Sequence, residues 1–310
     1  MGDPAEGDLF PSVSRAATVA PVPLDAAGAT PGLFEPTEHV RIATWNINGI
    51  KARIEILCGW LAEAQPDVVC LQEIKSVDEG FPREPIERLG YNVETHGQKG
   101  FNGVAILSRR PFEVVRRGLP GDDNDVQARY IEALVPLGAG IVRVANLYLP
   151  NGNPIGTEKF PYKLAWMERL TAHVRGLLAL EEPLVVLGDF NVIPEPKDAK
   201  RPEAWVNDAL FQPVTRAHFR ALGHLGLVDA VRAVTDEGGR YTFWDYQAGA
   251  FQKNEGIRID HALLSAEAAD RLQAVEIVKA VRALEKPSDH VPVVVTLAAN
   301  PPSEWAKRPA

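Results

Sequence analysis

Time and again along this chain a short run of apolar, often branched residues meets an acid, an amide or a phenol. Leu184-Val185-Val186-Leu187, following Pro183, ends in Gly188-Asp189-Phe190-Asn191. A run of four aliphatic residues is too short for a helix and reads as a buried strand of an α/β sheet. The pattern recurs where Val40-Arg41-Ile42-Ala43 leads to Asn46 and Asn48, where Val68 to Leu71 leads to Gln72 and Glu73, and where Ile141 to Leu147 leads to Tyr148. Ile257 to Ile259 leads to Asp260, and Asp289 and His290 adjoin the run Val291 to Val295. Ligands in such sheets sit just outside the strand ends, so residues far apart in sequence can converge there. Taken singly, Asp189 with Asn191, or Asn46 with Asn48, would be ordinary turn residues.

The chain has 310 residues, 45% hydrophobic and 24% charged, enough for one large α/β domain. Strand and helix patterns alternate between residues 40 and 298 without a linker, which predicts one catalytic domain. Residues 1–39, rich in Pro, Ala and Gly, read as a disordered tail, and 299–310 as a short C-terminal tail. No apolar segment is long enough to span a bilayer and no secretory signal opens the chain, so a soluble, cytoplasmic monomer without a membrane partner is expected. Cys58 and Cys70 sit in apolar surroundings, which suits packing in a reducing compartment. The net charge of −8 argues mildly against a nonspecific nucleic-acid coat, but residues 1–39 hold Asp3, Glu6, Asp8, Asp25, Glu35 and Glu38 against Arg15 alone, and so carry most of it. A polyanionic substrate therefore stays open.

Helices are expected near Arg53 to Glu63, Glu158 to Leu180, Ala204 to Phe211 and Ala217 to Leu225, and a strand over Ile257 to Leu264. The turn Gly97-Gln98-Lys99-Gly100-Phe101-Asn102-Gly103 fits a phosphate-cradling loop and a hairpin connection equally well. Lys51, Lys75, Lys99, Arg109, Arg110, Arg116, Arg117, Arg129, Lys159 and Lys163 could meet backbone phosphates, though most lone basic residues are merely solvated.

The polar strand ends contain no serine or cysteine triad and no His/Cys zinc set. They are oxygen donors with one histidine, which suits Mg²⁺, with Mn²⁺ as a substitute. Seven motifs in order, over residues 40 to about 298, resemble the exonuclease III type of apurinic/apyrimidinic endonuclease, within the DNase I-like endonuclease/exonuclease/phosphatase superfamily. They are Thr44-Trp45-Asn46-Ile47-Asn48-Gly49, Leu71-Gln72-Glu73-Ile74-Lys75, Gly97-Gln98-Lys99-Gly100, Asn146-Leu147-Tyr148-Leu149-Pro150-Asn151-Gly152, Gly188-Asp189-Phe190-Asn191, Arg258-Ile259-Asp260 and Ser288-Asp289-His290-Val291-Pro292.

The resemblance implies a four-layer α/β sandwich, two packed sheets flanked by helices. It implies a Mg²⁺-dependent repair nuclease that hydrolyses the phosphodiester 5′ to abasic sites, with 3′ to 5′ exonuclease and 3′-end trimming activity on duplex DNA. Carried over by position, Glu73 is the main metal ligand with Asp289 beside it, and Asp189 and Asn191 orient or deprotonate the water and could also face metal. Asp260 orients His290 against the phosphate, and Tyr148 and Asn46 bind phosphate oxygens. Asn48 stands where some relatives carry a metal-binding aspartate; it keeps a ligand oxygen and loses a charge. Phe243, Trp244, Ile257 and Ile259 match the apolar slot for a flipped-out abasic sugar, although aromatics more often fill cores, and Asn151 is a substrate contact. The shared set also permits another phosphoesterase of the superfamily, acting on inositol phosphates, phospholipids or RNA. A third alternative is a silent damage-binding module.

Overall fold

The computed structural model describes residues 39–138 and 140–300. In chain order the strands are β1 His39–Asn46, β2 Val68–Gln72, β3 Asn92–His96, β4 Val104–Ser108, β5 Glu113–Arg117 and β6 Tyr130–Leu137. They continue with β7 Gly140–Tyr148, β8 Leu184–Asp189, β9 Val228–Asp229, β10 Asp260–Leu264, β11 Leu272–Ile277 and β12 Val293–Ala298. The main helices are α1 Ile50–Ala64, α2 Arg83–Glu87, α3 Lys159–Leu178 and α4 Pro213–His224. One sheet runs β11-β12-β1-β2-β4-β3 and the other β5-β6-β7-β8-β10-β9. In each, one central pair is parallel, β1 with β2 and β7 with β8, and the other pairs are antiparallel.

The two sheets pack face to face, and strand alternation decides what lies between them. Val40, Ile42, Val68, Cys70, Val104 and Ile106 of the first sheet meet Val142, Val144, Val185, Leu187, Ala262 and Leu264 of the second. The opposite faces carry the helical layers. Trp45, Val69, Leu71 and Leu107 pack under α1, and Leu147, Val186 and Leu263 pack under α3 and α4. This is the expected four-layer sandwich.

Parity also places the polar strand ends. Continuing each inward row by twos from Ile42, Val144, Leu187 and Ala262 reaches Asn46, Tyr148, Asp189 and Asp260, so the inter-sheet layer that is aliphatic in its middle ends in polar groups. A buried polar layer comes just before them. Gln72 Nε2 donates to Thr44 Oγ1 at 2.9 Å and to Asn146 Oδ1 at 2.8 Å, bridging the sheets. Asn146 Nδ2 donates to the carbonyls of Leu71 and Ala105. Gly188 lets β8 lie close on β7: a Cβ there would sit 1.9 Å from the Leu147 carbonyl oxygen, with φ at +148°.

Two expectations change. Ala204 to Phe211 is not an α-helix; a short 3₁₀ turn, Pro202–Trp205, is followed by loop. Side chains there bond the backbone that a helix would need: Asp208 Oδ1 accepts from the Leu210 N–H, and Asn153 Oδ1 from the Ala209 N–H. The strand expected from Ile257 begins only at Asp260, because Ile257 bridges instead to Ala199 and Phe243. The Gly97 to Gly103 loop connects the antiparallel hairpin β3–β4. Of the tails assigned to 1–39 and 299–310, residues 1–38 and 301–310 lie outside the described residues, while His39 opens β1 and Ala299 is buried. Among the described residues no helix is long and apolar enough to cross a membrane.

Candidate active site

The strand ends converge. Antiparallel pairing sets Asp260 opposite Asp189, and parallel pairing sets Tyr148 beside Asp189. The 288–290 loop is stitched across the other sheet, with Ser288 Oγ donating to the Asn46 carbonyl at 2.7 Å and Trp45 Nε1 to the His290 carbonyl at 3.1 Å. His290 thus faces both carboxylates: Nδ1 lies 2.8 Å from Asp260 Oδ2, and Nε2 lies 3.8 Å from Asp189 Oδ2. Burial alone would depress the imidazole pKa, but the Asp260 carboxylate, then Asp189, outweigh it and lift it to about 10. His290 is accordingly an imidazolium at neutral pH.

Asp189 is gripped at both oxygens. Oδ1 accepts from the Asn191 backbone N–H at 2.9 Å and Oδ2 from Asn46 Nδ2 at 2.9 Å. Burial pushes its pKa up to about 7 against the pull of the His290 charge. A carboxyl titrating near neutrality can take a proton from water and release it again.

Glu73 lies just past β2 in a left-handed conformation, φ 48°, rare for a residue of this kind. Neighbouring backbone holds it there: the Gly49 N–H donates to the Glu73 carbonyl at 2.7 Å, and Ile74 and Lys75 donate to the carbonyls of Gly103 and Asn102. Asn48, Lys75 and Asn191 share the left-handed region. Four such residues at strand ends mark a surface shaped for something other than chain reversal. Burial would raise the Glu73 pKa, but hydrogen bonds from Asn46 and Tyr148 and the Lys75 ammonium hold it below the usual carboxylate range. Burial, then the charges of Glu73 and Asp189, keep the Tyr148 phenol protonated far into alkali. Its hydroxyl donates to Glu73 Oε1 at 2.7 Å, and the Arg129 guanidinium lies 4.9 Å from its ring centre.

Two groupings of donors bear on a metal. Asp189, Asp260 and His290 offer ligand atoms within 4.8 Å of one another. There the His290 imidazolium already faces both carboxylates, and a cation would have to displace its proton. The second grouping has oxygens only. The Lys75 ammonium lies 2.9 Å from Glu73 Oε2 and 2.6 Å from Asn48 Oδ1, and Asn48 Nδ2 donates to Asp289 Oδ1 at 3.0 Å. Glu73 and Asn48 therefore already converge on one positive charge, and their hard oxygens fit Mg²⁺ or Mn²⁺.

Several residues stand elsewhere than the sequence suggested. Asn46 is fully buried, and its Nδ2 bridges Glu73 Oε1 and Asp189 Oδ2, so it spaces two carboxylates and has no hydrogen left for a phosphate. Asn191 Oδ1 accepts from Asn151 Nδ2, and its Nδ2 donates to the Leu149 carbonyl. Trp244 is 1% exposed, its ring edge-on to Tyr241 and Phe251; it fills a core and offers no pocket surface. Ile257 and Ile259 are buried behind Phe243, which is half-buried with its ring 5.0 Å from His290. Lys163 is fully buried and Arg110 nearly so, which removes both from any phosphate-facing surface, while Arg117 pairs with Glu94. Ser288, not expected in the site, takes part in it, and Lys75, expected only among the basic residues that could meet phosphates, is bonded to Glu73 and Asn48. Their signal was their place inside the motifs of Glu73 and His290.

A two-sheet sandwich with an imidazolium, two buried carboxylates and a second cluster of oxygen donors at one end of its inter-sheet layer has the parts of a phosphoester hydrolase. Comparison with known proteins agrees. Residues 43–290 match the model of the Endonuclease/Exonuclease/phosphatase family, and the chain belongs to that family. It is 37% identical over 262 residues to the exodeoxyribonuclease III of Haemophilus influenzae, covering 82% of this chain and 98% of that one. An AP endonuclease from Archaeoglobus fulgidus superposes with a TM-score of 0.79 at 37% identity, covering 83% and 99% of the two chains. The 3′ phosphatase NExo from Neisseria, solved bound to a product DNA hairpin, superposes with a TM-score of 0.79 at 40% identity, covering 83% and 98%.

Proposed function

We propose that this protein is a Mg²⁺-dependent DNA repair nuclease that hydrolyses the phosphodiester 5′ to abasic sites and removes nucleotides and blocking groups from 3′ ends of duplex DNA. The observation that carries this reading is the placement of a carboxylate poised near neutrality, Asp189, beside a held imidazolium, His290. Relatives at 37% and 40% identity named as an exodeoxyribonuclease, an AP endonuclease and a DNA-bound 3′ phosphatase support the substrate class.

In the proposed reaction Asp189 takes a proton from a water whose oxygen attacks phosphorus. The bond from phosphorus to the 3′ oxygen breaks, that oxygen takes up a proton, and a 3′ hydroxyl and a 5′ phosphate result. His290, kept charged by Asp260, donates a hydrogen bond to a phosphate oxygen as negative charge builds there. The neutral Tyr148 phenol is a second donor once it turns from Glu73. Glu73 and Asn48, with Asp289 behind Asn48, would hold the metal, which supplies charge neutralisation at the phosphate. Asn151 and the half-buried Phe243 would meet the substrate, with Ile257 and Ile259 giving Phe243 an apolar backing that admits a sugar without a base.

The test is nicking of a labelled duplex carrying a tetrahydrofuran abasic analogue. Cleavage with Mg²⁺, its loss in EDTA and its recovery with Mn²⁺ are expected, and Asp189→Asn should lower kcat about 10³-fold. Undiminished nicking in EDTA, or full activity in Asp189→Asn, would overturn the mechanism.

A further inference from the structure

Lys163 is the most deeply buried basic side chain near the site. It lies in the first turns of α3, fully buried, and among the described residues no carboxylate is within ion-pair distance of it. Its ammonium instead donates to three backbone carbonyls: Pro150 at 3.0 Å, Asn151 at 3.1 Å and Asn191 at 2.7 Å. Burial pulls the Lys163 pKa down to about 7, and in the charged form its three N–H groups match these three main-chain acceptors. Burying an ammonium costs several kcal/mol even so, and an apolar side chain would fill the same space without that cost. Stability alone is a weak reason for a lysine here.

What the three carbonyls have in common is position. Pro150 and Asn151 follow β7, Asn191 follows β8, and the side chains of Asn151 and Asn191 are bonded to each other at 3.1 Å. The Asn191 backbone is in the left-handed region, and its N–H is the donor that fixes Asp189 Oδ1. The turn is moulded on the lysine itself, since a Cβ at Gly152, φ +90°, would lie 2.6 Å from Lys163 Cδ. The ammonium therefore ties together two loops that no mutual backbone ladder joins beyond Asp189.

We infer that Lys163 is a positioning residue of the hydrolytic site: by binding the Pro150, Asn151 and Asn191 carbonyls from below it sets the orientation of the Asn191 N–H and hence of Asp189. The inference rests on the nuclease reading, and the two fail differently. If the nuclease reading fails, the unaltered protein does not cut the abasic duplex; if only this inference fails, the Lys163 variants cut as the unaltered protein does.

The experiment is a kinetic cycle on the full chain with Lys163→Met, Asn191→Ala and the double variant, each checked for cooperative urea unfolding. Lys163→Met keeps the stem and loses the ammonium. Its kcat should fall about 100-fold, the effect of roughly 1 Å of misplacement, while KM stays within about threefold. Because both changes act through the same loop, the double variant should be no more than about threefold slower than Asn191→Ala alone. A folded Lys163→Met with unchanged kcat, or losses that multiply in the double variant, would overturn the inference. A purely structural role would lower the unfolding midpoint and leave kcat per folded molecule intact. Should Lys163→Met fail to fold, Lys163→Gln decides, since it keeps two donors: kcat lower by about tenfold with KM unchanged is expected, and full kcat in folded Lys163→Gln refutes it.

Discussion

Two imidazoles lie inside this protein at comparable depth, one charged and one neutral. His290 is 4% exposed and His261 is fully buried, and both touch aromatic rings. Burial pushes both toward neutrality. The partners then decide. His290 faces Asp260 and Asp189 and is lifted to about 10, whereas His261 faces the Arg258 guanidinium, which adds to burial and holds it down at about 4. Arg258 can only donate, so at 3.1 Å it requires an unprotonated Nδ1 on His261, and Nε2–H donates to the Val192 carbonyl at 2.9 Å. A change of neighbour, not of depth, separates the charged group of a reaction site from a neutral strut behind it. The two clusters lie back to back, because Asp260 and His261 are consecutive and their side chains leave β10 on opposite faces.

The largest effect that can break this comparison is loss of Arg258. Its guanidinium bonds Asp198 Oδ1 at 2.6 Å and Asp229 Oδ2 at 2.7 Å with 1% of its side chain exposed. Arg258→Met leaves Asp229 without its partner and Asp198 with Arg232 alone, and removal of one member of a buried ion cluster costs about 3–5 kcal/mol. Urea unfolding should show that loss, and NMR should find that the His261 pKa has risen. A stability change under about 1 kcal/mol would mean that the network is better hydrated than its burial implies.

Acid titration of His261 comes next. Its native pKa of about 4 lies below the usual value of an exposed or unfolded imidazole, so the native state binds fewer protons between the two. The stabilising contribution is therefore fully present above about pH 6.5 and is lost as pH falls to about 4, amounting to about 3 kcal/mol. For His290 the sign reverses: its contribution is present below about pH 6.5 and is lost as pH rises through about 10. Unfolding midpoints across pH, compared between the parent and His261→Gln, should converge at the acid end; parallel curves would contradict a neutral His261.

Asp260→Asn should have a moderate effect on rate. Without the carboxylate at 2.8 Å, His290 loses the first of the charges that keep it protonated. We expect kcat at neutral pH to fall about 10–100-fold and the alkaline limb of the rate profile to move to lower pH. An unmoved limb would show that His290 is not the group whose charge matters.

The histidine pair also shows which parts of the structure could be read in the residues. Asp189, Asp260 and His290 adjoin apolar runs, and because strand alternation is strict, a polar residue that continues an inward row must emerge at the sheet end. The four-layer sandwich came only from the resemblance of the seven motifs, whereas that logic gave the strands and their convergent polar ends. It gave nothing for β5, β9 and β11, whose outward-facing residues are largely exposed and which sit at sheet edges, where no apolar run forms. Asn46 was assigned to phosphate because its motif was legible, but which hydrogen its amide uses depends on two carboxylates contributed by other strands. Lys163 was hidden for a related reason. On a helix a lone lysine reads as solvated, and the three carbonyls that bury it come from loops 12 to 28 residues away.

The smallest effect gives the finest separation of the two imidazoles. His261 lies against Phe219 at 4.8 Å between ring centres and His290 against Phe243 at 5.0 Å. Such contacts contribute about 0.5–1.5 kcal/mol beyond the area they bury, so Phe219→Leu and Phe243→Leu each remove a similar amount of interaction. The amounts should appear in different measurements. Phe219 is 8% exposed among the side chains under α3 and α4, so its loss should lower the free energy of unfolding by about 1 kcal/mol and leave kcat and KM unchanged. Phe243 stands half-buried beside the imidazolium, so its loss should raise KM for the abasic duplex several-fold, about 1 kcal/mol of binding, with little change in stability. If instead Phe243→Leu cost mainly stability, its ring would be core filling like that of Trp244, and damage recognition would have to rest on other residues.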